Sequence, residues 1–389
     1  MGIQWKGSPA TMATGLRRKS ASVNIEFGIV GLPQSGRTTV FNALTGGAAD
    51  TEKHSREGAA HVGVATVSDP RLEVLAGILH PERTVPVSIS YVDIGASVKG
   101  LVEDKGIGGQ LLGQLSKVDA LINVVRGFED PGIPLVEGNL DVDRDITTMN
   151  LELAFSDLAI IERRLARIEA SLKAARPTER QAFAREQDLL DRIRQGLERD
   201  IPVREQDLTA DETRLIGNFQ FLTAKPLLIV SNIGEEKLPE AASLEEGLNS
   251  RYARPGCRAI ALCGKLEMEL TQLDQGTRES YRSEFGLTES GQDRLVRLSY
   301  EVLGLVTFFS MASNEVRAWP VRRGTDARTA AGKIHTDMER GFIRAEVIGY
   351  DDLAACGSVA EARKRGLLRL EGKTYQIQDG DIITFMFNV

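Results

Sequence analysis

Val23, Ile25, Phe27 and Ile29 alternate with other residues and run into Val30-Gly31, the period-two signature of a strand with one buried face. A helical stretch follows through Leu44, so the first ordered unit reads as strand, glycine-bearing loop, helix. Further strands are predicted at His61–Val67 and Val85–Asp93. Leu121–Val125, Leu227–Val230 and Ala259–Leu262 are short continuous apolar runs, suited to central strands covered on both faces. Helical stretches separate several of these runs, which predicts an open α/β sheet across roughly the first 280 positions.

That sheet is interrupted. Leu158, Ile161, Leu165, Ile168 and Leu172 recur at spacings of three and four, the seam of a coiled coil. Ala175-Arg176-Pro177 breaks the pattern, and a second helical stretch carries Phe183, Leu190, Ile193 and Leu197. The pattern predicts an antiparallel helical hairpin within residues 136–204, rejoining the sheet near Pro202. Its outward faces are dense in Glu and Arg, which fits a solvated face or a docking surface for a large partner. From about Leu303 the character changes to a small α+β module, with strands predicted at Val316–Trp319, Phe342–Val347, Lys373–Ile377 and Asp381–Phe387.

A chain of 389 residues exceeds one ordinary core and implies two or three domains. The boundaries expected are a flexible extension at 1–21, an α/β domain from 22–135 and 205–302, the hairpin, and a C-terminal domain at 303–389. A net charge of -7 argues against bulk attraction to nucleic acid while leaving room for a local basic patch. Cys257, Cys263 and Cys356 lack C-x-x-C spacing, and the four histidines are scattered, so neither a zinc ribbon nor a disulfide framework is expected. No apolar run of about 20 residues and no hydrophobic signal core is present. The expectation is a cytoplasmic, monomeric protein without a membrane partner.

The candidate chemistry begins at Gly31–Thr38, GLPQSGRT, a phosphate-binding loop with arginine in place of lysine. A side chain at Gly31 or Gly36 would crowd a phosphate, and Gln34, Ser35 and Arg37 complete the loop. Thr38 carries the hydroxyl expected on Mg²⁺, and Thr39 follows in the first helical turn, where free N–H groups face an anion. Asp93, ending SISYVD, is the second candidate Mg²⁺ residue. Asn232, Ile233 and Glu235, in LLIVSNIGEE, occupy the position of a base-reading N-K-x-D loop, with isoleucine for lysine and glutamate for aspartate. Cys263, after the next strand, is a candidate for backbone contact to the base edge. Arg363, Lys364 and Arg365, with Arg369 and Lys373, form the densest basic cluster and the candidate RNA contact; Leu367, Leu368 and Leu370 between them are expected in the module's core.

With these motifs in place, the chain resembles the YchF-type Obg-like ATPases, among the P-loop NTPases, over about residues 23–389. The likeness is strongest in Ser68–Leu79, Leu222–Glu236, Glu315–Trp319, Ala330–Ile348 and Leu370–Val389. The resemblance implies a P-loop domain with an inserted coiled-coil hairpin and a C-terminal TGS domain of β-grasp type. It further implies association with ribosomes or ribosomal RNA, and ATP preferred over GTP, with Mg²⁺. Asn232 and Glu235 stand at the family's N-x-x-E positions. Arg37 replaces the family lysine. Against the family's D-I-A-G-L stretch, Ala96 replaces the glycine that faces the γ-phosphate and Ser97 the apolar residue at the usual glutamine position, and Glu57 stands where a switch threonine would fall. These departures predict nucleotide binding with impaired hydrolysis. The competing expectation is a ribosome- or RNA-binding protein whose nucleotide domain is mainly scaffold.

Overall fold

A computed structural model describes residues 25–47, 60–94, 109–134, 138–173, 176–287, 289–312 and 314–388. The expected extension at 1–21 and the departures at Glu57, Ala96 and Ser97 lie outside these residues. In chain order the strands are β1 Ile25–Val30, β2 Ala60–Thr66, β3 Arg83–Val85, β4 Ser88–Ile94, β5 Ala120–Gly127 and β6 Leu227–Ile233. They continue as β7 Cys257–Leu262, β8 Leu305–Ala312, β9 Glu315–Arg322, β10 Phe342–Gly349, β11 Arg369–Glu371 and β12 Asp381–Phe387. They form two sheets, β2-β4-β1-β5-β6-β7 and β11-β10-β12-β8-β9-β3. The chain divides into one unit of 25–65 and 89–303, and a second containing 66–88 and 304–389. The segment 66–88, expected inside the nucleotide domain, groups with the C-terminal residues.

The strand expected at Val85–Asp93 is therefore two strands in two sheets. Pro86 explains the break, because it offers no N–H to a ladder. Before it, β3 pairs with β9; after it, β4 pairs with β1 in parallel.

In the first unit β4, β1, β5, β6 and β7 run parallel. Every residue of β5 and β6 is buried, as their unbroken apolar runs require. The helix Val142–Leu172, 31 residues long, serves two cores in succession. Its first turns place Ile146, Met149 and Leu153 against the sheet residues Leu121, Val125 and Ile229. Its later turns place Ile161 and Ile168 against Leu189, Leu190 and Ile193 of the helix Pro177–Leu197. Arg164 crosses between the two helices with a two-pronged bond to Glu186, both prongs at 2.7 Å. Pro177 opens the second helix, and the Glu179 carboxylate accepts from the Arg176 N–H at 2.9 Å, capping it.

Asp157, fully buried midway along the first long helix, fixes that helix to the chain that re-enters the sheet. Its carboxylate accepts from the Leu222 N–H at 2.8 Å, the Thr223 N–H at 2.8 Å and the Thr223 hydroxyl at 2.6 Å. Two residues on, Lys225 donates to the carbonyls of Val118 at 2.6 Å and Ser116 at 3.1 Å.

The second unit is built around Phe308, Trp319, Phe342, Val347, Ile383 and Phe385. Arg71, on the helix Pro70–Leu79, explains why 66–88 joins it: the guanidinium bonds Asp69 and Asp379 and lies 5.2 Å over the Phe309 ring. Asp379 also accepts from the Thr307 N–H at 2.8 Å. The strand expected at Lys373–Ile377 is instead a turn and a single bridge. Tyr375 N–H bonds Gly372, and Gln376 bridges Asp326 at the start of a helix. The preceding residues Arg369–Glu371 make the strand, and Leu305–Ala312, not expected as one, pairs along its whole length with β9.

Burial pushes the Asp157 carboxyl up to about 6, against its three donors and the Lys225 charge. A carboxyl raised above its unfolded value of about 3.9 contributes stability that is complete below that value and lost as pH rises through about 6. Chemical denaturation across that window should give Asp157→Asn a flatter pH profile than the parent. Asp157→Ala, which strands three buried donors, should lower the unfolding free energy by about 2–4 kcal/mol.

Candidate functional site

Because the five strands β4, β1, β5, β6 and β7 are parallel, their C-terminal ends share one edge, where ligands bind in open α/β sheets. Gly31 follows β1, Asp93 lies near the end of β4, Asn232 near the end of β6, and Cys263 follows β7. The structure thus gathers the sequence-predicted residues along one rim.

The loop after β1 turns on two left-handed residues, Gln34 at φ 63° and Gly36 at φ 84°. Gly36 caps the helix Arg37–Thr45, and the Val40 N–H bonds its carbonyl at 3.0 Å. The N–H groups of the first turn, at Arg37, Thr38 and Thr39, precede that first helical bond and point out of the helix start. Both glycines are forced. A Cβ at Gly31 would meet the Val124 carbonyl, with Ser35 Oγ at 2.7 Å, and one at Gly36 would strike the Asn232 side-chain amide.

Asn232, buried to 4% exposure, clamps the loop. Its Nδ2 donates to the Ser35 carbonyl at 3.0 Å, and its Oδ1 accepts from the Gly264 N–H at 3.0 Å. Thr38 Oγ1 donates to Asp93 Oδ2 at 2.7 Å. Asp93 Oδ1 and Ser35 Oγ are buried and make no hydrogen bond with the described residues. A threonine hydroxyl beside a carboxylate with a spare buried oxygen is the donor set Mg²⁺ takes, and two glycines that exclude a Cβ leave backbone room for a phosphate, so the residues fit a Mg²⁺-nucleotide. Arg37 is half-buried. Burial draws its guanidinium below the ordinary arginine value and the nearby Asp93 carboxylate opposes that; arginine's high intrinsic value keeps it charged.

Ile233 is buried at the end of β6, and Glu235 is exposed at the start of the short turn Glu235–Glu240, 3.6 Å from Lys265 Nζ. Cys263 is buried before the helix Gly264–Thr271, and burial pushes its thiol up. Arg126 and Phe128, beyond the sequence expectations, complete the rim. The Arg126 guanidinium, 5% exposed, donates to the carbonyls of Phe128, Ile133 and Pro134 and lies 4.8 Å over the Phe128 ring. That ring edge is 3.7 Å from where a Gly36 Cβ would stand. An arginine closing the apolar run of β5 was the available signal.

In the second unit the basic cluster is partly neutralised. Arg363 pairs with Glu346 at 3.0 Å and Arg365 with Glu361 at 2.8 Å, while Lys364 is exposed. Leu367 and Leu368 are half-buried, but Leu370, expected in the core, is 58% exposed. It stands opposite Glu346 on the short strand β11 at the sheet edge, where alternation turns it outward.

Residues 305–388 match the family model YchF-GTPase_C, described as a protein of unknown function (DUF933). The chain is similar to the ribosome-binding ATPase YchF of Bacillus subtilis (strain 168), 38% identical over 365 residues, 93% of this chain and 99% of that one. It is 37% identical over 370 residues to the ribosome-binding ATPase YchF of Escherichia coli O157:H7, covering 94% of this chain and 100% of the other. Among solved structures it resembles the Schizosaccharomyces pombe YchF GTPase, with TM-score 0.78 and 28% identity over 93% of this chain and 98% of that one.

Removing the clamp should loosen the rim without unfolding the sheet. Asn232→Ala leaves the buried Ser35 carbonyl and Gly264 N–H unpaired and should cost about 2–4 kcal/mol in urea denaturation. Amide exchange should quicken at Ser35 and Gly36 more than in β5.

Proposed function

The chain belongs to the YchF family, and from that premise we propose that it is a ribosome-associated protein that binds ATP in preference to GTP and hydrolyses it slowly. The observation that carries the reading is the phosphate loop itself, with Gly36 left-handed and pinned by Asn232 while Thr38 bonds Asp93. In this reading Gly31, Gln34, Ser35, Gly36, Arg37, Thr38 and Thr39 hold the phosphates. Thr38 and Asp93 hold Mg²⁺, which when bound neutralises phosphate charge. Ile233, Glu235 and Cys263 border the base, and the Phe128 ring offers it a stacking face. The exposed Glu235 carboxylate accepts hydrogen bonds, which suits an exocyclic amine.

Slow turnover follows from Arg37. Lysine in this loop is a compact point charge on the β- and γ-phosphates, whereas guanidinium is planar and forked. A lost preorganised contact to the transition state costs about 10²-fold in rate. Ala96 and Ser97 add to that loss through the family resemblance. Backbone N–H groups bind the ground state and do not depend on the side chain at 37.

We read the C-terminal residues as a TGS domain of β-grasp type and the two long helices as a coiled-coil hairpin, both facing ribosomal partners. Within Arg363–Arg365, Lys364 is the cation best placed to meet RNA phosphate, since Arg363 and Arg365 are engaged by carboxylates. The protein acts as a cytoplasmic monomer; among the described residues no helix is long and apolar enough to cross a membrane.

Titration of the purified chain should give micromolar, Mg²⁺-dependent ATP binding and weaker GTP binding. Absence of binding to both at millimolar nucleotide would leave the scaffold reading, and GTP preference would overturn the base assignment. Arg37→Lys should raise steady-state hydrolysis about 10-fold or more with a smaller change in ATP affinity.

Lys364→Glu should reduce co-sedimentation with ribosomes and lower the salt slope by about one unit. Unchanged co-sedimentation would move the contact off this cluster.

A further inference from the structure

The parallel sheet has a second edge. Leu227 and Cys257, paired at the N-terminal ends of β6 and β7, lie at the opposite end of these strands from Asn232 and Cys263. A cavity of about 340 Å³ opens there, between the first long helix, the segment leaving the hairpin and the chain before β7. Its apolar wall includes Ala154, Leu197, Leu227 and Ile229, and its polar wall includes Arg204, Arg254 and the Cys257 thiol.

Arg204 is the unusual member. Its side chain is only 7% exposed, yet Nε is buried without a hydrogen bond, and the nearest carboxylate, Glu205, stands 3.8 Å away, beyond hydrogen-bond reach. Its Nη1 donates to the Thr223 carbonyl at 3.3 Å, a long bond for a charged donor. A buried guanidinium with an idle donor is costly unless something engages it. Arg254 adds a second cation: it is exposed, donates to its neighbour's carbonyl at 2.7 Å, and pairs with no carboxylate among the described residues. Arg251 also lines the space but is held by Asp143 at 3.2 Å, and the acids on the lining are Asp200 and Glu205.

We propose that this cavity is a second ligand site, for a small organic anion whose phosphate or carboxylate group is received by Arg204 and Arg254 while its carbon skeleton lies on the apolar wall. Guanidinium forks match both oxyanions in a planar, two-pronged way, and the volume falls within the range of small-molecule sites. The site is separate from the phosphate loop, so it does not depend on nucleotide binding.

The test is calorimetric titration of the full chain with two probes, ribose 5-phosphate and citrate, which separate a phosphate from a carboxylate ligand. Saturable 1:1 binding of one of them is expected. Affinity should fall about 10-fold or more in Arg204→Ala, Arg204→Lys and Thr147→Trp. Thr147 is an exposed position on the lining, so its substitution blocks the cavity without entering the core and keeps the test decisive if Arg204 variants fold poorly. No binding of either probe up to 10 mM would overturn the proposal. So would binding that survives Thr147→Trp, which would place the anion elsewhere on the chain, the phosphate loop included.

Discussion

The side-chain amide of Asn232 joins two loops that no backbone ladder connects. Strand order puts β5 between β1 and β6, so the loop after β1 has no direct sheet bond to the end of β6. Asn232 spans that gap, holding the Ser35 carbonyl with one atom and the Gly264 N–H with the other. The geometry of Gly36 follows from it, because a Cβ there would occupy the space of the Asn232 amide. The helix start at Arg37, and with it the placing of Thr38 against Asp93, is fixed in turn. A residue chosen from sequence as a reader of bases thus has a structural duty that uses both of its polar atoms.

A comparable economy holds the long helices. The helix Val142–Leu172 cannot pack on the sheet and on its partner helix with the same turns, and the hydrophobic positions divide between the two tasks. Asp157 sits at the changeover and draws in the returning chain at Leu222–Thr223. The cavity beneath Arg204 lies beside this junction, and Thr223 belongs to both, accepting from Arg204 through its carbonyl and bonding Asp157 through its hydroxyl.

The parallel strands were legible because both-face burial leaves continuous apolar runs, as in Leu121–Val125 and Leu227–Val230. The long helices were legible because their period of three and four is sustained and Pro177 marks the break. The second sheet was less so. Leu305–Ala312 buries Val306, Phe308 and Phe309, and two adjacent phenylalanines buried on opposite faces spoil a period-two reading. Lys373–Ile377 carries strand-forming residues, yet its backbone bonds go to the turn at Gly372 and the helix start at Thr325–Ala327. Tertiary partners decide such short segments, and they are far away in sequence. The role of Arg126 was hidden for a different reason: its partners Phe128, Ile133 and Pro134 are near in sequence but meet it only when the loop after β5 folds back over it.

Arg37 shows where backbone and side-chain chemistry part company. The loop's conformation is set by Gln34, Gly36 and the Asn232 clamp, and the first-turn N–H groups are present whatever side chain stands at 37. The guanidinium acts on a different quantity, because its charge is felt by Asp93, the carboxylate that Thr38 also bonds. With Mg²⁺ and phosphate bound as proposed, a cation that shares Asp93 with the metal would weaken that carboxylate's pull on Mg²⁺ and be drawn away from the phosphate oxygens that a lysine would reach. Binding energy from the backbone would then survive while the charge arrangement needed in the transition state would not. Under the proposed function, holding a nucleotide and turning it over would rest on different atoms of this loop, separable by the side chain at 37.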